Sequence, residues 1–345
     1  MADMEEQTGK KWLYGMTLAG LREVTDSLSM PRFTASQIAS WLYKKDARRI
    51  ADMTDISLRH RQLLQENYFV GEILPSGVEG SVDGTKKYLF ATLGGGFIES
   101  AYIPDGDRAT ICVSSQSGCK MGCRFCMTAQ MGFSNNLTAG EILNQVRSIP
   151  ESGTLTNIVY MGMGEPLDNL ENVLDSLEAL TENWGYGWSP TRITLSTIGI
   201  IPAMKELLER SRVHLAVSLH DPFPEERAQI MPLQNKYPIG EVVALLKRYD
   251  FSHQRRVSFE YILFEGFNDT PAHVKELARL LDGLKCRINL IRFHSIPGSP
   301  YKSPDALTME RFRDALTRKG IITTIRASRG EDIKAACGLL SAAGK

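Results

Sequence analysis

Residues 111–126 read ICVSSQSGCKMGCRFC, a short run of apolar and small residues followed by Cys119, Cys123 and Cys126. The first part suits a buried strand, and the C-x3-C-x2-C spacing then puts three thiols on one loop at the strand's end. Three thiolates can hold three corners of a 4Fe-4S cubane, whereas a fully ligated structural cluster uses four cysteines. One iron is then open, much as a catalytic zinc site keeps a vacant position. Such an iron can be chelated by the amino and carboxylate groups of S-adenosylmethionine, whose S–C5′ bond breaks on one-electron reduction to give a 5′-deoxyadenosyl radical. The competing reading is a zinc knuckle or three ordinary cysteines. Zinc would want a fourth ligand nearby, and no His or Cys lies between Cys126 and His214.

Downstream of this loop, short apolar strands alternate with longer amphipathic stretches. After ICVSS the candidate strands are NIVYMG, RITLST, VHLAVSLH, RVSFEYIL and RINLIRF. Between them lie LTAGEILNQVRSI, NLENVLDSLEAL, IPAMKELLER, IGEVVALLKRY and PAHVKELARLLDGL, with apolar residues at helical spacing; LTMERFRDALTRK follows the last strand. Six strand–helix units in series predict an α/β chain whose parallel sheet wraps into a partial (β/α)6 barrel. In such folds the loops leaving the C-terminal strand ends carry the chemistry.

Upstream, LAGLREVTDSL, TASQIASWLYKK and SLRHRQLLQENY read as three helices, with Thr34 and Gln37 at capping-box spacing. KKYLFATL, GFIESAYI and RATICVSS are β-rich and separated by GGG and DGD, which is hairpin chemistry. The expected organisation is a small helical domain over 1–75, a β-hairpin extension over 76–110 and the barrel over 111–300. A C-terminal helix, strand and tail carrying Cys337 follow over 301–345.

Composition sets broad limits. The 345 residues carry 40 bases against 40 acids, so any nucleic-acid contact must use a local basic surface. One candidate is the stretch from Lys44 to Arg61, where Lys44, Lys45, Arg48, Arg49, Arg59 and Arg61 face Asp46, Asp52 and Asp55; a solvated helical face is the plain alternative. Arg326 and Arg329 are a second. No run approaches the ~18 apolar residues of a membrane span, and the acidic start MADMEEQTGKKW does not read as a leader. The expectation is a cytoplasmic monomer. Six cysteines, three of them clustered, point to metal ligands or reactive thiols rather than disulfides.

Other residues fall where the barrel reading puts a ligand. MGMGEP closes the second strand, where Gly164 lets backbone approach a ligand and Glu165 could take an ammonium. Ser196 ends the third strand; Ser218, with Leu219 and His220, ends the fourth. Cys112 reads as a small buried hydrophobe, Cys286 as core, and Cys337, beside Gly338, as structural or reactive with equal merit.

The segments YIPDGDRATICVSSQSGCKMGCRFCMTAQMGF, VYMGMGEPLDN, ITLSTIGIIPA, AVSLHDPFPEERAQIMP, INLIRFHSIPGSPY and IRASRGEDIKAACG resemble the radical-SAM RNA adenine-C2 methyltransferases of the RlmN type over nearly the whole chain. The resemblance implies methylation of adenosine C2 in 23S rRNA at the peptidyl-transferase centre and in tRNA next to the anticodon. It also implies a 4Fe-4S cluster on Cys119, Cys123 and Cys126, two S-adenosylmethionine molecules per turnover, and an electron donor such as a flavodoxin system. By the same resemblance Cys337 is the methyl carrier, Cys112 the resolving thiol and Glu99 the proton acceptor. Gly164, Glu165, Ser196, Ser218, Leu219, His220 and His294 become cofactor contacts, His294 standing where relatives carry Asn. Two rivals share the cysteines: an adenine-C8 methyltransferase that confers ribosomal antibiotic resistance, and a radical-SAM enzyme that does not methylate.

Overall fold

The computed structural model describes residues 9–254 and 256–342. The first eight residues, which carry most of the acidic start, and residues 343–345, the end of the tail, lie outside the described residues.

Three helices, α1 (Leu18–Ser27), α2 (Thr34–Tyr43) and α3 (Leu58–Asn67), open the chain. The capping box expected at Thr34 is absent. Phe33 is the N-cap of α2, with no side-chain cap bond, and Gln37 donates instead to the Asp55 carbonyl at 3.0 Å. A reciprocal box does form at Thr138 and Glu141, starting α4 (Ala139–Arg147). That helix also pins the first three helices down. Arg147 donates to Asp46 at 2.7 Å and to the Ala47 carbonyl at 2.5 Å, and Asn144 bonds both the N–H and the carbonyl of Ile73. Leu13, Leu21, Ile38 and Leu42 are fully buried in the same apolar cluster as the barrel side chains, so the helices share the barrel's core.

The main sheet has ten strands in sequence order. Strands β1 (Gly77–Gly80), β2 (Lys86–Ala91), β3 (Phe97–Asp105) and β4 (Arg108–Cys112) are antiparallel. The β-rich segments before residue 111 thus continue the sheet edgewise. From β4 onward the pairing is parallel through β5 (Asn157–Tyr160), β6 (Ile193–Thr197), β7 (His214–Ser218), β8 (Val257–Leu263), β9 (Cys286–Arg292) and β10 (Ile322–Ile325). Crossover helices join these strands: α4, α5 (Leu170–Thr181), α6 (Ile201–Arg210), α7 (Pro224–Ile230), α8 (Ile239–Leu246), α9 (Pro271–Leu280) and α10 (Ala306–Arg318). This is the partial barrel expected, with β10 as an added strand. Every residue of β8 is buried, as a parallel strand covered on both faces requires. Among the described residues no helix is long and apolar enough to cross a membrane.

Candidate active site

The loop after β4 is anchored at its start by side-chain amides. Gln145 bonds both the N–H and the carbonyl of Ser114, and Asn169 donates to the carbonyls of Ser115 and Leu137 at 2.8 and 2.7 Å. These bonds satisfy buried backbone groups that leave the sheet and so fix where the thiols start. Gly122 turns the loop at φ +69°, in the left-handed region that glycine enters without strain. Burial pushes the Cys119 thiol up to about 12 and raises Cys123 and Cys126. Cys126 further raises both Cys119 and Cys123, which marks the three sulfurs as neighbours. Three largely buried cysteines that would repel one another as thiolates, with the Arg227 charge lowering only Cys123, are a donor set for a positive centre, and they fit a cubane held at three corners.

The predicted rim residues gather around this loop. Gly164, at φ +96°, leaves no room for a side chain: an added Cβ would sit 2.5 Å from the Gln116 Cβ. Glu165 is buried and accepts from Thr197 Oγ1 at 2.5 Å and from the Leu167 and Ile198 N–H groups at 3.1 and 3.0 Å. Burial pushes its carboxyl up to about 7. Its Oε2 takes only the Ile198 bond and keeps a lone pair for an ammonium. Ser196 and Ser218 are half-buried at the ends of β6 and β7, whereas the Leu219 side chain is fully buried in the main core. His220 adopts φ +58°, accepts the Ile262 N–H on Nδ1 at 3.0 Å, and packs edge-on against Phe125 of the cysteine loop. Burial, and next the Arg227 charge, lower its pKa to about 3, so the ring is neutral.

His294 faces the C-terminal segment. Its Nε2 lies 3.1 Å from Ser328 Oγ and its Nδ1 3.3 Å from Glu331 Oε1. Both ring nitrogens engage the C-terminal segment, so the imidazole helps to position the tail.

A second cluster forms on the neighbouring strands. Register pairs Lys87 of β2 with Ala101 of β3, and Ala101 with Cys112 of β4, so the three side chains share one face. Glu99, two residues before Ala101, lies on the same face. Glu99 Oε1 is 3.2 Å from Lys87 Nζ, both side chains being more than nine-tenths buried. Its Oε2 accepts the Ser341 N–H at 2.9 Å. The tail that carries Cys337 therefore closes over this face, and Ala335 packs against Ala101 and Cys112. Gly338, at φ +82°, receives the Met127 N–H on its carbonyl at 2.8 Å, and Thr128 Oγ1 donates to the Leu340 carbonyl at 2.6 Å. Cys337 itself is exposed, and its field raises both Cys112 and Cys126. It thus stands between the cysteine loop and the Cys112 face. Burial pushes the Cys112 thiol up to about 12.

The sequence reading missed two cations here. Arg227 is fully buried and donates to the carbonyls of Ile198, Ser218 and Leu219 and to Gln234, while its charge acts on Cys123. Lys87 neutralises Glu99. No local pattern distinguishes either from a surface base. Arg326, expected on an outer surface, instead pairs with Glu260 at 3.3 Å and lies near Cys112 and Cys337, its charge favouring the Cys112 thiolate. Arg329 pairs with Asp105 at 2.8 Å. In the Lys44–Arg61 stretch, Lys45, Arg48 and Arg49 pair with Asp55, Asp46 and Asp52, which leaves Lys44, Arg59 and Arg61 as the local excess.

Residues 113–281 match the radical SAM superfamily, and residues 12–70 match the ribosomal RNA large subunit methyltransferase N-terminal domain. A probable dual-specificity RNA methyltransferase RlmN of Bacteroides thetaiotaomicron is 57% identical, covering 96% of this chain and 96% of its own length. The dual-specificity RNA methyltransferase RlmN of Marinobacter nauticus is 43% identical over 95% of this chain and 92% of its own. A crystal structure of a radical SAM methyltransferase from Sphaerobacter thermophilus superposes with a TM-score of 0.88 at 43% identity, covering 96% of this chain and 99% of the other.

Proposed function

The chain belongs to the RlmN family of radical-SAM RNA methyltransferases, and on that premise we propose that it methylates C2 of adenosine in 23S rRNA and tRNA through a methyl carried on Cys337. Adenine C2 is an electron-poor C–H carbon and cannot attack a methyl sulfonium as a nucleophile, so a carbon radical is required. Cys119, Cys123 and Cys126 would hold the 4Fe-4S cluster, with Gly164, Glu165, Ser196 and the Ser218–His220 run around S-adenosylmethionine. When bound, these groups supply the methyl, the reducing electron and the hydrogen-abstracting radical.

The chain's own residues do the rest. Cys337, as thiolate, accepts the methyl by displacement. After loss of one hydrogen, that carbon adds to C2. The adduct gives up its odd electron, to the bound cluster, and the C2 proton, which leaves RNA covalently attached to the Cys337 sulfur. Cys112 thiolate attacks the same sulfur, so that a Cys112–Cys337 disulfide forms as the S–C bond breaks. The carbon leaves with that electron pair and takes up a proton to become the product methyl, and an external thiol reduces the disulfide before the next turnover. The high Cys112 thiol pKa makes a nearby base and cation useful, and Arg326 supplies the cation. Glu99 moves the C2 proton. The target base must leave its stack to reach Cys337, at a cost of a few kcal/mol.

The observation that carries this reading is the docking of the Cys337 tail between the cysteine loop and the face bearing Cys112 and Glu99. The test is anaerobic reconstitution with iron, sulfide and a flavodoxin-type reductant, followed by RNA and isotopically labelled S-adenosylmethionine. Label in 2-methyladenosine supports it. Label in 8-methyladenosine, or none in RNA, overturns it.

A further inference from the structure

Asp221, Glu226 and His273 converge outside the rim described above. They come from the loop leaving β7, from α7 and from α9. His273 Nε2 stands 2.8 Å from Glu226 Oε2 and 3.6 Å from Asp221 Oδ2, and one donor atom of each residue lies within 4.8 Å of the others. Two ligands bound to zinc at 2.0–2.1 Å and at the tetrahedral angle stand about 3.3 Å apart, so the two observed separations straddle that spacing.

The surroundings orient these donors. His273 Nδ1 is 2.7 Å from Thr270 Oγ1, which leaves Nε2 directed at the carboxylates. The edge-on Phe223 ring fixes the imidazole plane, and Asp221 Oδ1 accepts the Phe223 N–H at 2.8 Å. Metal-binding imidazoles and carboxylates are supported by outer contacts of this kind. Asp221 Oδ2, by contrast, is buried and has no hydrogen-bond partner. At 3.6 Å, His273 is too distant to supply one. An unsatisfied buried carboxylate oxygen is costly, and it points at the other two donors. A proton on His273 would serve Glu226 at 2.8 Å far better than Asp221.

We infer that Asp221, Glu226 and His273 form a second metal site that takes a divalent cation of the zinc class, with water completing the shell beside the partly exposed Glu226. One imidazole and two carboxylates suit zinc better than calcium or magnesium, which take oxygen donors. The ion would tie α7 and α9 to the loop that begins with Ser218, Leu219 and His220, and so stiffen one wall of the rim. Neither the site nor its test depends on which RNA atom is methylated.

The test uses the full chain with its cluster loaded anaerobically, so that iron occupies the three loop thiols. The protein is dialysed against zinc(II) and analysed for both metals, and thermal unfolding is recorded with and without zinc. One zinc per chain at unchanged iron content, with a raised Tm, is expected. Glu226→Gln, at a partly exposed position, should bind zinc at least about tenfold more weakly, and Asp221→Asn should lose it. No zinc above background, zinc taken up only as iron is lost, or equal affinity in wild type and Glu226→Gln would each overturn the inference. Should Asp221→Asn fail to fold, Glu226→Gln and the Tm shift of the wild type decide alone.

Discussion

Replacing Glu99 by Gln separates the two jobs that the structure gives this residue. Gln can still accept the Ser341 N–H, so the tail keeps that bond, but the buried Lys87 ammonium loses its nearest counter-charge. Removing one member of a buried pair costs about 3–5 kcal/mol. Here Glu79, half-exposed and 3.3 Å from the same Nζ, remains and offsets part of that. The expected net loss is about 2–3 kcal/mol, or a Tm lower by roughly 3–4 °C for a chain of this length. Product formation should fall further, by about 10²–10⁴-fold, because a neutral amide cannot take the C2 proton. Methylation of Cys337 should persist, since that step needs no base at Glu99. The assay is thermal unfolding together with mass spectrometry of the Cys337 peptide and of the RNA. A variant that keeps full RNA methylation would refute the role given to Glu99, and one with unchanged Tm would refute the buried pair.

Other expected outcomes follow from single contacts. Gly164→Ala must strain a backbone at φ +96° and place its Cβ 2.5 Å from Gln116; a loss above about 3 kcal/mol is expected, with S-adenosylmethionine binding abolished in a dialysis assay. His220 has its pKa lowered to about 3 in the fold, below the ~6.5 of an unfolded chain. Its contribution is present above 6.5 and is lost as pH falls toward 3, by up to about 1.4 kcal/mol per pH unit. In His220→Asn, which tolerates the same φ, denaturant unfolding should show a flatter acid limb. In the cluster-loaded enzyme, iodoacetamide should modify exposed Cys337 first. Buried Cys112, its thiol pushed up to about 12, should lag by at least about a hundredfold, and equal labelling would contradict the packing of the tail over it.

What the sequence made legible was periodic or local. The alternation of strands and helices from residue 111 onward is present in the fold, and the cysteine loop falls at a strand end, because both depend on neighbours in the chain. The capping box was read at Thr34 because the spacing is there, but Phe33 already has helical backbone angles and Gln37 is drawn to Asp55. The box that forms, at Thr138 and Glu141, has the same signature. Roles set by distant register stayed invisible. Lys87 is one of two adjacent lysines until pairing puts it in a row with Ala101 and Cys112. Arg227 looks like a helix surface base until its guanidinium is found among three carbonyls from two strand ends. The local charge excess of Lys44–Arg61 was countable, but its partners are tertiary neighbours as well as sequence ones.

The account turns on Cys337 as the carrier of the transferred carbon. The most direct measurement is mass spectrometry of the Cys337 peptide after anaerobic turnover with S-adenosylmethionine bearing a deuterated methyl, before and after RNA is added. A labelled methyl on Cys337 that disappears as label enters RNA is the predicted result. An unmodified Cys337 throughout, or a Cys337→Ala chain that methylates RNA at the wild-type rate, would contradict it.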